Sequence, residues 1–177
     1  MEYVPQNLYQ WLNSKLKEGG RAAAAAVTFV DDNLKSTTSF MNERGFMHFD
    51  AHFENILTDG ELLYFSDFGL AIFSNFELTN AEREFLKRHH NYDRCCAAVN
   101  LLHCIIASIF GKDQWGIKLQ KYLDDDQYQM TPAIAEVIKK YSPNALTMDE
   151  FFQDLQKKTK QTHYQVSHFE SLLAAIE

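Results

Sequence analysis

Apolar residues recur at helical spacing along most of this chain and at strand spacing over one short stretch. Leu8, Trp11, Leu12 and Leu16 fall three or four apart, which marks a first amphipathic helix. Gly19-Gly20 ends it, because glycine takes the left-handed cap conformation cheaply. The alanine run Ala22 to Ala26 starts a second helix, from about Arg21 to Glu43. Phe29, Val30, Leu34 and Met41 give that helix its apolar side, and Gly45 closes it. The pattern then changes. Phe46-Met47 is a short apolar run, and Ile56-Leu57 and Leu62 to Phe65 are two β-like runs flanking Asp59-Gly60, a strong hairpin signal. Thr79 and Glu82 form a capping box that opens a helix to about His90. Tyr92 to Phe110 is strongly apolar and reads as a central helix; further helices are expected near 114–124, 131–141, 147–160 and 164–176. The first four residues read as extended. The expected fold class is mainly α (α+β), with one small β-hairpin early in the chain.

Composition supports one folded unit over residues 1–177. At 46% hydrophobic and 14% aromatic residues the chain has enough apolar surface for a core. Seventeen Lys and Arg against 24 Asp and Glu give a net charge of −7, with positive charge only in short clusters, so no nucleic-acid partner is expected. Cys95, Cys96 and Cys104 all fall in the central apolar stretch, where buried reduced thiols are expected rather than a secreted disulfide framework. The sequence shows no unbroken apolar run long enough for a membrane span and no signal-peptide pattern at Met1 to Pro5, which points to a cytoplasmic location without a membrane partner. Asp124-Asp125-Asp126 reads as a solvated acidic helix end.

Chemistry concentrates in His48-Phe49-Asp50-Ala51-His52-Phe53-Glu54-Asn55 and in Ser66-Asp67-Phe68-Gly69. Phosphoryl transfer needs a carboxylate beside the attacking hydroxyl and hard oxygen ligands for magnesium. Asp50, Asn55 and Asp67 supply such a set. A hairpin between Asn55 and Asp67 returns the chain to its starting point, so two loops converge. Taken singly, Asp50 and Asn55 also fit a turn pair, and Asp67 a turn cap. His48 reads as structural, and His52 as either structural or a phosphate or substrate contact.

These two segments resemble the protein-kinase signature, H-R-D-L-x-x-x-N followed by D-F-G. His48, Asp50 and Asn55 match the first part by offset, and Asp67-Phe68-Gly69 the second. Phe49 stands in place of the signature arginine, His52 in place of the usual lysine, and no A-P-E triplet follows. The pattern H-x-D-x-H-x-x-N is similar to the aminoglycoside phosphotransferase and choline kinase branch. Met1 to Pro5 resembles a kinase hinge, whose backbone at Glu2 and Val4 would hold adenine. Asn91-Tyr92-Asp93-Arg94 resembles the start of the family's central helix, whose aspartate braces the catalytic loop. The resemblance implies a kinase-like C-terminal lobe with ATP and Mg2+ as cofactors. Asp50 would be the base, with His52 beside it; Asn55 and Asp67 would be the magnesium ligands. His48, Phe68, Gly69 and Asp93 would give structural support.

None of the seven glycines forms G-x-G-x-x-G, and Lys15, Lys17 and Lys35 fall on expected helices, so the N-lobe is expected to be absent. The expected activity is transfer of a γ-phosphoryl group to a hydroxyl of a small molecule or protein. The main alternative is a non-catalytic pseudokinase or regulatory lobe, completed by an N-lobe partner or by self-association through the face left open. A remote alternative is a metal-dependent hydrolase using His48, Asp50 and His52 along a strand.

Overall fold

Each amphipathic segment has one face that water disfavours, and these faces close around the most apolar helix. The computed structural model describes residues 3–125, 130–158 and 162–174. In chain order the elements are β1 (Gln6–Asn7), α1 (Leu8–Glu18), α2 (Gly20–Glu43), β2 (Phe46–Met47), β3 (Ile56–Thr58) and β4 (Leu63–Phe65). After a short 3-10 turn at Phe68–Leu70 come β5 (Ile72–Phe73), α3 (Asn80–Arg88), α4 (Tyr92–Phe110), α5 (Trp115–Asp124), α6 (Pro132–Lys157) and α7 (Val166–Ala174). The fold is mainly helical with small antiparallel strands, as the sequence pattern predicts.

The helix at the centre is α4, packed against α1, α2, α5 and α6. Leu102, Ile105 and Ile106 are fully buried, and each such side chain contributes about 1.5–3 kcal/mol on leaving water. Over 18 residues α4 has a mean hydropathy of 1.4, enough for a membrane span by composition alone. More than half of that window is buried by the other helices, the surroundings of a core helix. Cys95 and Cys104 are buried on it, and burial pushes both thiols up to about 12. Cys96 is half-buried, and all three thiols are free.

The hairpin forms where Asp59-Gly60 predicts it. Ile56 pairs with Phe65, Leu57 with Tyr64 and Thr58 with Leu63, so Leu62 belongs to the turn rather than to the strand. Asp59 Oδ1 accepts from the backbone of Glu61 and Leu62 at 2.8 and 2.9 Å, and these bonds lower its pKa. Two short strands lack a sequence signal. Gln6–Asn7 adds to the β3 edge, after which Asn7 caps α1 by accepting from Gln10 N at 2.9 Å. Ile72–Phe73 pairs with Phe46–Met47. This second pairing needs Gly45, at φ +70°: a Cβ there would lie 2.1 Å from Ser74 Oγ, while Ser74 N donates to Gly45 O at 2.8 Å.

The C-terminal third departs from the expected elements. The helices expected at 131–141 and 147–160 are one helix, α6, which continues through Pro143. Proline removes an intrahelical hydrogen bond and crowds the preceding turn, a cost of about 3 kcal/mol. Burial of Ile134, Val137, Ile138, Tyr141, Ala145 and Met148 along the same helix outweighs it. Pro143 itself is exposed, and Ser142 Oγ donates to the Ile138 carbonyl at 2.5 Å in the same turn. The last helix begins at Val166 rather than 164, and residues 175–177 of its expected span lie outside the described residues. So does Asp126 of the acidic run, whose Asp124 ends α5 exposed.

Candidate active site

The loop from His48 to Asn55 is built on α4. Asp93 lies in the first turn of that helix and is 3% exposed. Its Oδ2 accepts from His48 N at 2.6 Å, and its Oδ1 from Phe49 N at 2.8 Å. Two successive N–H groups aimed at one carboxylate make a backbone nest. Phe49 adopts φ +60°, a left-handed conformation that a non-glycine residue holds only where its surroundings over-determine it. Here Asp93 does so from below, and rings hold the Phe49 side chain: Phe85 at 5.4 Å, Tyr92 at 5.6 Å. Burial raises the Asp93 carboxyl above its ordinary range, while the two N–H bonds pull it the other way.

His48 is fully buried and locks the loop to the hairpin. The Asp50 N–H donates to its Nδ1 at 3.3 Å, so Nε2 is the ring nitrogen that donates, to Ser66 O at 3.0 Å. Both ring nitrogens are therefore engaged. Segment 48–52 is a loop rather than a strand, and among the described residues no three His, Cys, Asp or Glu side chains gather as a metal cluster. The geometry thus gives the hydrolase alternative no three-ligand site.

Asp50 and Asn55 meet directly. Asn55 Nδ2 donates to Asp50 Oδ2 at 2.9 Å and to Asp50 O at 3.1 Å. The amide nitrogen being spent, Oδ1 is the Asn55 atom left to accept. His52 Nε2 stands 3.7 Å from Asp50 Oδ1, beyond a hydrogen bond, with both side chains more than a third exposed. Ser66 then ties the second loop to the first: its N and Oγ both donate to Asn55 O, at 2.9 and 2.7 Å. Asp67 follows, exposed and at φ +57°, opening the turn at Phe68–Leu70. A Cβ on Gly69 would lie 3.3 Å from Asp67 Oδ1, so glycine leaves the carboxylate room. Phe68 packs its ring 4.9 Å from His48 and 5.8 Å from Phe46 while remaining 51% exposed.

The structure thus gathers His48, Asp50, His52, Asn55 and Asp93 directly, and Asp67 through its neighbour Ser66. Val4, half-buried, precedes β1 on the hairpin edge and has no recorded polar contact with this group; Glu2 lies outside the described residues. Sequence reasoning placed Ser66 in the second segment but gave it no role. It missed the face of α4 opposite the loop. Tyr92, Cys96, Val99, Asn100 and His103 share that face at spacings of four, three, one and three, and two polar residues on so apolar a helix are the signal that was there to read. Two cavities separate this face from the loop. One of about 250 Å³ is lined by Phe49, Asp50, His52, Tyr92, Asn100 and Phe152 among others. The other, about 210 Å³, runs past His52 and Asn100 to Glu54, His103, Tyr9 and Lys112.

No family model matches the chain. Over 71 residues, 40% of its length, the chain is 32% identical to "Cyclin-dependent kinase F-4" of Oryza sativa subsp. japonica. It spans 15% of that protein. The match supports a protein-kinase-like relationship and a hint of kinase-like function.

Proposed function

We propose that this chain carries the catalytic-loop lobe of an ATP- and magnesium-dependent phosphotransferase that delivers a γ-phosphoryl group to a hydroxyl acceptor, on a small molecule or a protein. One observation carries the reading: Asp50, Asn55 and the segment of Asp67 are hydrogen-bonded into one rigid group, through Asn55 Nδ2 to Asp50 and through Ser66 to Asn55 O. Asp50 is exposed enough to reach an acceptor and is fixed by Asn55, as a base that orients a hydroxyl and takes its proton must be. Asn55 Oδ1 and the Asp67 carboxylate are hard oxygens of the kind magnesium prefers, and the room over Gly69 suits them to it. Magnesium, when bound, neutralises phosphate charge and helps align the transferred group. His52, 3.7 Å from Asp50, is the proposed phosphate or acceptor contact. Backbone groups at Glu2 and Val4 are the proposed adenine contacts.

Phe49 and His52 in place of arginine and lysine favour the aminoglycoside phosphotransferase and choline kinase branch. The Phe49 ring packs among Phe85, His89 and Tyr92 and offers no cation to a phosphorylated loop. A second reading has its own support. These 177 residues hold no glycine-rich phosphate loop, and Lys15, Lys17 and Lys35 lie on α1 and α2 rather than on a strand. On that reading the lobe is a pseudokinase or regulatory unit completed by further chain or a partner.

Calorimetry with ATP, with and without magnesium, separates the two. Magnesium-dependent binding that disappears in Asp67→Ala is the expected result. A wild-type protein that binds no nucleotide in either condition rules out a self-sufficient nucleotide site and leaves the regulatory reading.

A further inference from the structure

We propose that the 250 Å³ cavity beside Asp50 is the acceptor pocket, that it takes a neutral alcohol with one ring-sized apolar body, and that Asn100 is its specificity-determining residue. This rests on the phosphotransferase reading above. Asp50 lines this cavity and not its neighbour, which makes it the cavity from which an acceptor hydroxyl reaches the base. The volume fits such a body, since about 150 Å³ is enough to admit a benzene ring.

The lining decides the chemistry. Phe49, Tyr92, Val99 and Phe152 supply an apolar wall. Among the described lining residues Asp50 is the one carboxylate, and there is no Lys or Arg. A polyamine would bring several charges to a single counter-charge. A polyol would lose water from several hydroxyls with few partners in return, and each hydroxyl left unpaired opposes binding. A compact cation finds no open aromatic cage either, because Phe49 and Tyr92 already pack on each other, on Phe85 and on Tyr164.

Asn100 adds an amide to the wall, beside Asp50 and His52. It is half-buried on the mostly apolar α4, stands in the wall shared by both cavities, and makes no side-chain hydrogen bond to any described residue. Its amide can both donate and accept, so it reads one further polar group on the acceptor, placed away from the reacting hydroxyl. The adjoining cavity then gives a tail its exit, past His103, which burial keeps below its ordinary pKa, toward Lys112 and Tyr9.

The test is an NMR titration of the whole chain, without nucleotide, using 4-hydroxybenzyl alcohol, choline and glucose as separate probes. The signals to follow are the Asn100 side-chain amide and the Phe152 ring. The aromatic alcohol should shift both saturably, choline and glucose should not, and Asn100→Leu should weaken its binding about fivefold, as loss of one neutral hydrogen bond does. Asn100→Gln should recover part of the affinity, and Phe152→Leu should weaken binding without touching the amide. Stronger shifts with choline or glucose overturn the proposal, as does silence with all three. A parallel titration with magnesium-ATP separates the two levels. Nucleotide binding without alcohol binding sinks the acceptor pocket alone, whereas alcohol binding without nucleotide binding overturns the phosphotransferase reading and the acceptor assignment with it.

Discussion

Asp93 has more resting on it than any other single side chain near the site. It is buried, it accepts both His48 N and Phe49 N, and it holds Phe49 in the left-handed region that aims Asp50 outward. Removing its oxygens leaves two backbone donors buried without partners, at about 1–3 kcal/mol each. Asp93→Ala should therefore lose about 2–6 kcal/mol in urea denaturation, and amide exchange at His48 and Phe49 should speed up before the helices open. Asp93→Asn keeps one acceptor and should fall between. The position of Asp93 was legible through resemblance, because Asn91-Tyr92-Asp93-Arg94 is similar to the start of a kinase central helix whose aspartate braces the catalytic loop. The fit of its two oxygens to two successive N–H groups was not, since it depends on the φ of Phe49, which no residue type announces. The role of Ser66 was illegible for a similar reason: its two hydrogen bonds to Asn55 O exist only once the hairpin has set the register.

At the scale of elements, local signals located what local chemistry determines. The Asp59-Gly60 turn, the Thr79–Glu82 capping box and the α1 and α2 boundaries all sit within about a residue of expectation, because turns and caps are satisfied by their own neighbours. Elements settled by partners far along the chain were missed, β1 and β5 by short length and α6 by the wrong weight on Pro143. That proline is exposed, so Pro143→Ala should restore a backbone donor without disturbing the core and raise stability by about 1–3 kcal/mol, read as a higher denaturation midpoint. A different balance governs α3, which buries none of its own residues. Its C-terminal end is held by His89, whose ring stacks on Phe85 at 4.0 Å and on Tyr164 at 5.0 Å. Burial lowers the His89 pKa below 6.5, and the charges of Arg88 and His163 add to the effect. With the folded value depressed, the unfolded state takes up the proton first. The stacking contribution is therefore intact above pH 6.5 and is lost as pH falls through 6.5 toward the folded value. Amide exchange in α3, corrected for intrinsic rates, should accelerate from about pH 7.5 to about pH 5.5, and His89→Phe should flatten that dependence.

At the scale of the whole molecule, several exposed apolar side chains gather into one aromatic strip. Ring contacts run from Phe68 to Phe46 at 5.8 Å, on to Phe73 at 6.2 Å and to Phe76 at 5.7 Å. Phe68, Leu70 and Phe76 on this strip are each more than half exposed. It borders the Asp67 turn and the β2–β5 pair. A contiguous aromatic strip of this kind marks a surface that is normally covered. Without the covering partner, the strip is expected to meet a second copy of itself. Each copy carries a net charge of −7, so long-range repulsion opposes the encounter while apolar burial favours it. Added salt screens the first and leaves the second, so self-association should strengthen from about 0.05 to about 0.5 M sodium chloride, the opposite of an ion-paired interface. Sedimentation velocity over a concentration series reads this directly. Leu70→Ser with Phe76→Ser, both at exposed positions, should give a monomer at every salt concentration with little change in melting temperature. A wild-type chain that stays monomeric at high concentration and high salt would mean that the strip is tolerated in water and needs no covering partner.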